Sequence, residues 1–271
     1  MTENLPPLLL IGCGKMGGAM LAGWLEQGLP PESVVVEPHA AATAGFAGRV
    51  RVVASIGDMP PGFAPAAVIL ATKPQEAPAV LPQLTGLVAG GPVFISIMAG
   101  RDIAGMRRAL GDAARIVRAM PNTPAAIRRG FTVACAGPGV AAVQQALADR
   151  LLTAIGEAAW VEEEALIDPV TAVSGGGPAY VFLLVEVMEA AAIAEGLPPE
   201  LARRMARSTV AGSGALLAAS EEDAATLRRN VTSPKGTTER ALAVLMEDSA
   251  WPQTMRRAIA AATARSRQLA G

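Results

Sequence analysis

Short apolar runs alternate with longer, helix-length stretches from Leu5 to Trp160. Eight runs rich in β-branched or apolar residues are candidate strands, at 8–11, 34–36, 51–53, 68–70, 93–97, 115–118, 131–134 and 159–161. Several are apolar throughout, which is typical of strands that are covered on both faces. Met16–Gln27 and Val143–Leu152 are examples of the helical stretches between them. The succession of strand, helix and strand predicts an α/β fold with a Rossmann-like, doubly wound parallel sheet.

The strand pattern stops after Glu162, and the rest of the chain is helical in composition. Helices are predicted at 178–195, 198–219, 224–230, 237–247 and 252–269. Pro178 and Pro198 lie near the first turns of two of these helices, where proline fits well. We therefore expect a dinucleotide-binding domain over residues 1–163, followed by an all-helical domain over residues 164–271.

The predicted helix at 178–195 is apolar on nearly every side, so a protein interior must enclose it. Because a helical domain of about 105 residues has a limited interior of its own, we expect a second subunit to supply part of that enclosure. The alternative is that this helix forms the centre of a monomeric bundle. Glu186 and Glu189 interrupt the apolar stretch, which is also short for a bilayer, so we expect no membrane span.

The charge balance and the residue types narrow the classes of function. Lys and Arg number 23 against 24 Asp and Glu, and the chain has three Trp, one Tyr and five Phe. With no basic surplus and few aromatic rings to stack on bases, we expect no binding of nucleic acid. His39 is the one histidine and accompanies only two cysteines, so a zinc site would have to recruit carboxylates. We expect no metal.

The two cysteines, Cys13 and Cys135, give no disulfide framework, which is typical of a reducing compartment. The opening residues, 1–7, include Glu3 and lack the basic start of a signal peptide. We expect a cytoplasmic protein.

A glycine motif follows the first predicted strand and opens the first predicted helix. The motif is Gly12-Cys13-Gly14-Lys15-Met16-Gly17. Its first glycine permits a tight turn, and its second lets backbone N–H groups approach a pyrophosphate. The third glycine permits close packing of the helix against the strand. These six residues form the candidate cofactor-binding turn.

Glu37 stands at the end of the second predicted strand, about 20 residues after Gly17. An acid at this position normally accepts a hydrogen bond from the adenosine ribose 2′-OH, which favours NAD and repels the additional phosphate of NADP. His39 or the backbone near Pro38 could partly offset that repulsion.

Three further loops follow the fourth, fifth and sixth predicted strands, at the carboxyl ends where doubly wound sheets bind ligands. They contribute the candidate cofactor-binding residues Thr72, Lys73, Pro74, Ala99 and Asn122. Lys73 is suited to a phosphate or a substrate carboxylate, or it is a solvated loop lysine. Asn122 has the group to bind a nicotinamide carboxamide, or it forms an Asx-type turn between two prolines.

Two segments rich in glycine and hydroxyl groups open predicted helices in the second half, at 174–178 and 233–238. The N–H groups of a helix N-terminus that lack intrahelical partners can hold an anion. In the second segment, Thr237 and Thr238 could offer backbone N–H groups to a carboxylate and hydroxyls to a neighbouring polar atom. The alternative for both segments is ordinary N-capping.

Together these motifs resemble those of pyrroline-5-carboxylate reductases, over essentially the whole chain. The resemblance rests on residues 11–17, Lys73-Pro74, 117–124, 173–180 and, above all, Val231-Thr-Ser-Pro-Lys-Gly-Thr-Thr238 followed by Ala241-Leu242. Two positions depart from the family pattern. Lys235 replaces a glycine, and Glu37 replaces a residue that is neutral in most members.

The resemblance implies reduction of 1-pyrroline-5-carboxylate to L-proline, the final step of proline biosynthesis, by hydride transfer from NAD(P)H to the C=N carbon. It implies NADPH as the coenzyme, while Glu37 leaves NADH open. It also implies a homodimer through the helical domain, with the active site at the dimer interface, and assembly of dimers, often to decamers.

The resemblance further implies that Ser174, Ser233, Gly236, Thr237 and Thr238 bind the substrate. Backbone N–H groups from Gly236 to Thr238 would hold its carboxylate, and the Thr238 hydroxyl would meet the ring nitrogen as the catalytic group.

The residues themselves fit an imine substrate in one respect. Reduction of a ketone demands a strong proton donor, generally His or Lys, whereas an imine can enter already protonated. The single histidine lies at the predicted ribose end of the coenzyme, so catalysis would depend mainly on orientation and electrostatics.

Two alternatives stay open at this point. A hydroxyacid dehydrogenase of the same two-domain build places a catalytic lysine after its glycine motif, where this chain has Val181. A non-catalytic NAD(P)-binding sensor would need only the cofactor-binding residues.

Overall fold

The computed structural model describes residues 4–270, so Glu3, which the expectation about a signal peptide uses, lies outside the described residues. Backbone contacts divide the chain into two compact units. The first unit runs to Gly175 and also includes the end of the chain from Ala262, and the second unit is Gly176–Ala261. Compactness alone does not define a domain, so the boundary between residues 163 and 164 stays a prediction.

An eight-stranded sheet forms the centre of the first unit, in the order β3-β2-β1-β4-β5-β6-β7-β8. The strands are β1 Leu8–Ile11, β2 Val34–Val36, β3 Arg51–Val53, β4 Ala67–Leu70, β5 Val93–Ser96, β6 Arg115–Met120, β7 Gly130–Ala136 and β8 Gly156–Val161. All eight predicted strands are therefore present. Residues of β1, β4 and β5 are buried throughout, as their apolar sequences predict.

The predicted doubly wound sheet is confirmed as mainly parallel, with one antiparallel pair. Strands β6 and β7 are antiparallel, while the other neighbouring strands are parallel. The physical reason is the connection between β6 and β7, residues 121–129, which holds only a 3₁₀ turn, Thr123–Ile127. A parallel crossover needs a dozen or more residues, so the chain turns back instead.

Helices cover both faces of this sheet. Those of the first unit are α1 Lys15–Glu26, α2 Ala40–Thr43, α3 Ala77–Val80, α4 Ile103–Leu110, α5 Ala142–Thr153 and α6 Ile167–Val170. Leu10 and Trp24 belong to the apolar cluster on one face, and Leu9 and Phe94 belong to the cluster on the other. Alternate residues of one strand thus serve two cores, which explains why strands such as β1 and β4 are apolar at every position.

The second unit is helical. Its elements are α7 Gly177–Ala194, α8 Pro199–Ala219, α9 Ala224–Asn230, α10 Thr237–Leu245 and the first part of α11 Trp251–Ala270. Each lies within a few residues of its predicted bounds.

The apolar helix α7 has no buried residue within a single chain. Glu164–Ala194, which contains α7, is the one stretch of the described residues that is long and apolar enough to cross a membrane, and none of its most apolar window is buried. Side chains such as Phe182, Leu183 and Val187 are exposed. Since exposed apolar patches of this extent mark interaction surfaces, α7 requires a cover that one chain does not supply.

Candidate active site

The glycine motif forms the predicted turn between β1 and α1. Gly12 has a φ of +91°, and a Cβ atom there would lie 2.9 Å from the Ala71 carbonyl oxygen. A Cβ on Gly17 would lie 2.3 Å from the Gly12 carbonyl oxygen, so both positions require glycine. Beside Gly14, in contrast, a Cβ would meet no atom within 4 Å. Gly14 begins α1 without a side-chain cap. This open space at a helix N-terminus fits the pyrophosphate of a dinucleotide.

Glu37 binds the backbone of this turn directly. Its Oε2 accepts a 2.8 Å hydrogen bond from the Cys13 N–H, and its Oε1 accepts one of 2.9 Å from the His39 N–H. The residue is 9% exposed and lines a cavity of about 480 Å³ at the ends of β2 and β3. Glu37 therefore holds the glycine turn in place through its backbone. It does so at the position where the sequence predicts the adenosine ribose of the coenzyme.

Cys13 is buried beside that carboxylate. Burial, and then the negative charge of Glu37, raise the pKa of the Cys13 thiol to about 11. The thiol is therefore neutral at physiological pH, and Cys13 contributes its backbone N–H to the site. Burial, followed by the charge of Glu164, also raises the pKa of Cys135 against the opposing effect of Arg118. Both thiols are packed in the core.

The loops after β4 and β5 lie at the carboxyl ends of adjacent strands, as predicted. The Thr72 hydroxyl lies 3.8 Å from the Met98 sulfur, and Lys73 is exposed to solvent. The two loops are joined by Arg101, whose Nε donates a 3.0 Å hydrogen bond to the Pro74 carbonyl oxygen. Sequence reasoning did not single out Arg101, because an arginine in a loop carries no local signal of its partner.

Asn122, after β6, uses its side-chain amide within the first unit. Its Oδ1 accepts a 2.9 Å hydrogen bond from the Phe131 N–H, and its Nδ2 donates one of 3.1 Å to the Ser174 hydroxyl. Asn122 precedes the 3₁₀ turn Thr123–Ile127 without a side-chain cap to it. The amide thus bridges two segments, and one of its N–H groups is left for a ligand.

Ser174 lies just ahead of α7, as the segment 174–178 was expected to. It belongs to a π-helical turn, Thr171–Gly175, and α7 begins at Gly177 after a Gly176 that has no side-chain cap. The Ser174 hydroxyl does not cap the helix and instead accepts the hydrogen bond from Asn122 Nδ2.

The segment 233–238 turns into α10 in the second unit. Gly236 begins the helix, and no side chain caps it. The Gly236 N–H donates to the Ser233 carbonyl oxygen at 3.0 Å, so Ser233 contributes its backbone and not a capping hydroxyl. Ordinary N-capping therefore does not account for the hydroxyl groups here. Thr237 and Thr238 form the first turn, where N–H groups have no intrahelical partner and suit a small carboxylate.

Lys235 adopts a left-handed conformation, with a φ of +61°. Such a φ favours glycine, which explains why glycine is usual there in the family that the sequence resembles. The Lys235 N–H donates a 2.8 Å hydrogen bond to Glu239 Oε2. This contact helps a lysine to hold the glycine-like turn.

Two family descriptions match the chain. "Pyrroline-5-carboxylate reductase dimerisation" matches residues 164–269, and "NADP oxidoreductase coenzyme F420-dependent" matches residues 8–100. The pyrroline-5-carboxylate reductase of Pseudomonas aeruginosa is 37% identical over 268 residues, with 98% of each chain covered. That of Synechocystis is 37% identical over 262 residues, with 96% of this chain and 97% of the relative covered.

Solved structures show the same similarity. A pyrroline-5-carboxylate reductase from Coxiella burnetii matches with a TM-score of 0.90 at 32% identity, covering 99% of this chain and all (100%) of the other. The Plasmodium falciparum pyrroline carboxylate reductase with NADP bound matches with a TM-score of 0.83 at 25% identity, covering 99% and 100%.

Proposed function

The chain belongs to the pyrroline-5-carboxylate reductase family, and we propose how its own residues carry out the reduction of 1-pyrroline-5-carboxylate to L-proline with NAD(P)H. The chain is thus an NAD(P)H-dependent oxidoreductase acting on a C=N bond. When bound, the coenzyme supplies a hydride to the carbon of that bond.

The coenzyme-binding residues are proposed to be those of the glycine turn, 12–17, with Glu37, Thr72, Lys73, Pro74, Ala99 and Asn122. The open side of Gly14 receives the pyrophosphate, because backbone N–H groups at the start of α1 have no side-chain cap. Glu37 faces the adenosine ribose, and its charge disfavours a 2′-phosphate. The free N–H of Asn122 is directed to the nicotinamide carboxamide.

The substrate-binding residues are proposed to be Ser174, Ser233, Gly236, Thr237 and Thr238. The observation that carries this proposal is the start of α10, where two threonines occupy a first turn that no side chain caps. Backbone N–H groups there hold the substrate carboxylate. The Thr238 hydroxyl orients the ring nitrogen, so that the C=N carbon faces the coenzyme.

No dedicated proton donor is assigned among these side chains. A protonated imine already carries the positive charge that makes its carbon electrophilic, so the protein has to bind and orient it. The Thr238 hydroxyl oxygen accepts a hydrogen bond from the ring N–H while the C=N double bond is reduced to a single bond. His39 is exposed and follows Glu37 at the ribose end, which excludes it from this step in the proposed arrangement.

The dimerisation region and the exposed α7 support a homodimer through the helical domain. We propose that such dimers assemble further, to a decamer, and that the enzyme acts in the cytoplasm without a membrane or nucleic-acid partner. The second subunit covers the apolar surface of α7 that a single chain exposes.

Absorbance of NADH and NADPH near neutral pH gives the direct test. We expect oxidation of coenzyme with pyrroline-5-carboxylate and none with small 2-keto or 3-hydroxy acids. Turnover of a keto acid alone would favour the hydroxyacid dehydrogenase, although Val181 stands where that class has its lysine. Coenzyme binding without turnover of either class would favour the sensor.

A further inference from the structure

Four polar side chains from distant segments meet inside the first unit, and the proposed mechanism uses none of them. Arg118 of β6 is 3% exposed, and its Nη1 lies 3.0 Å from Glu164 Oε1. Its Nη2 lies 3.6 Å from Asp168 Oδ1. The same Asp168 oxygen accepts a 2.7 Å hydrogen bond from the Ser266 hydroxyl of α11. We call Arg118, Glu164, Asp168 and Ser266 the Arg118 cluster.

Loss of one member of the Arg118 cluster would leave a buried polar group without its partner. Asp168 and Ser266 are also buried, and a buried charge that loses its partner strongly destabilises a protein. The Ser266 hydroxyl therefore fixes the end of α11 to a rigid part of the sheet. This contact explains why the chain from Ala262 belongs to the first unit.

The Arg118 cluster contacts one end of the loop after β5, Met98–Asp102, and Leu269 of the same α11 end contacts its middle. At the end of the loop, Glu164 Oε1 accepts a 2.8 Å hydrogen bond from the Ile103 N–H, where α4 begins. In its middle, Gly100 has a φ of +66°, and a Cβ there would lie 2.7 Å from the Leu269 Cβ. Because Leu269 is one turn beyond Ser266, the helix end that the cluster holds is also the one that touches Gly100.

That loop is connected to the other coenzyme loops. It contains Ala99, and Arg101 bonds from it to the Pro74 carbonyl oxygen. Strand β6, which carries Arg118, ends at Met120, just ahead of Asn122. The loops after β4 and β5 are thus linked to the Arg118 cluster through hydrogen bonds. The loop after β6 is linked to it through the strand that carries Arg118.

We propose that the Arg118 cluster and Leu269 position the coenzyme-binding loops. The end of α11 holds Gly100, and with it Ala99 and Pro74, in the arrangement that receives the nicotinamide half of the coenzyme. Arg118, Asp168 and Ser266 are positioning residues, since they act through the loop and touch no reactant. The proposal rests on the proposed function only in taking these loops as the coenzyme site.

Ser266→Ala is the direct test, because it removes one hydrogen bond and leaves every charge paired. Titration of NADPH fluorescence without substrate should show a dissociation constant raised roughly three- to tenfold. In turnover, the KM for coenzyme should rise by a similar factor, while kcat and the KM for pyrroline-5-carboxylate stay within about twofold. Ser266→Thr keeps the hydroxyl and should restore coenzyme binding. Gln268→Ala, an exposed change on the same helix end, is the matched control.

A chain that ends at Gln268 provides the second test, since it removes Leu269 and no charged group. It should weaken coenzyme binding as Ser266→Ala does. Unchanged coenzyme affinity in either folded variant, or an equal loss in Gln268→Ala, would overturn the proposal. If Ser266→Ala does not fold, the shortened chain decides. Failure of the proposed function is a separate result, in which the wild-type protein binds NADPH but does not turn over pyrroline-5-carboxylate.

Discussion

Thr238 and Glu37 are the two side chains on which the proposed chemistry depends most. One lies at the start of α10 and would orient the substrate, and the other binds the glycine turn through two backbone N–H groups. Neither role requires a group that changes its protonation state. This agrees with a reaction in which the substrate arrives protonated and the coenzyme carries the electrons.

Thr238→Ala should lower kcat/KM by about 1.5–3 kcal/mol, the free energy of one hydrogen bond to a charged group. The measurement is steady-state kinetics with saturating coenzyme. Thr226→Ala changes a partly exposed threonine on α9 that contacts Asp223 and Arg229, and it serves as the control. Activity of Thr238→Ala within about twofold of wild type would mean that Thr238 has no contact with the reacting ring.

Glu37 sets the coenzyme preference in a second prediction. The wild-type enzyme should work comparatively well with NADH, and Glu37→Ser should improve kcat/KM with NADPH relative to NADH. Removing one negative charge near the 2′-phosphate is worth about 1–2 kcal/mol, or roughly tenfold in that ratio. Glu37→Gln separates the two functions of the carboxylate, because it removes the charge and keeps one acceptor for the backbone. If the ratio of kcat/KM with NADPH to kcat/KM with NADH is unchanged in both variants, Glu37 does not set the coenzyme preference.

Within the turn from β1 to α1, Gly17 is required for packing, whereas Gly14 leaves space for the coenzyme. This difference gives a third prediction. Gly17→Ala places a Cβ 2.3 Å from the Gly12 carbonyl oxygen, so it should cost about 2 kcal/mol or more of folding free energy. Gly14→Ala meets nothing within 4 Å at a φ of −67°, so stability without coenzyme should stay within about 0.5 kcal/mol. Its methyl group nevertheless occupies the open side of the turn.

Chemical denaturation and coenzyme titration check this pair. Gly14→Ala should weaken coenzyme binding at least about tenfold, or about 1.4 kcal/mol. A Gly14→Ala protein that binds coenzyme normally would place the pyrophosphate elsewhere.

The local sequence pattern was sufficient to locate the helices and strands. It was insufficient to predict how strands pair and which distant side chains contact each other. Runs of β-branched residues located all eight strands, and the second half was recognised as helical from its composition. The antiparallel β7 was missed because periodicity carries no strand direction, although the short connection after β6 was visible in the sequence. The hydrogen bond between Ser174 and Asn122 was not predicted because the two residues are 52 positions apart.

In the candidate site, too, features set by neighbouring residues could be predicted, and features set by distant residues could not. Glycine spacing located the turn at 12–17, because the motif is contiguous in the sequence and follows directly on the first strand. The Arg118 cluster joins residues 46 and 98 positions apart, so no local spacing announces it. Its only trace was Arg118, a charged residue in the interior of strand β6, Arg115–Met120.

In the proposed dimer, a second chain covers the apolar surface of α7 that one chain leaves exposed. Val187 is 52% exposed on this helix within a single chain. Val187→Glu should weaken dimerisation at least about 100-fold, because a symmetric interface would bury two unpaired charges. Sedimentation velocity should show monomers with little activity, whereas Ala113→Glu, an exposed change in the first unit, should leave the dimer intact. A fully dimeric, active Val187→Glu enzyme would show that α7 is covered in another way.

A structure of the assembled enzyme with NADP and a proline analogue tests the proposed function most directly. We predict that the nicotinamide C4 lies about 3.5 Å from the analogue's ring carbon. The analogue's carboxylate should accept hydrogen bonds from the N–H groups of Thr237 and Thr238, with the Thr238 hydroxyl at the ring nitrogen. An analogue bound away from residues 233–238, or those residues turned away from every coenzyme in the assembly, would contradict it.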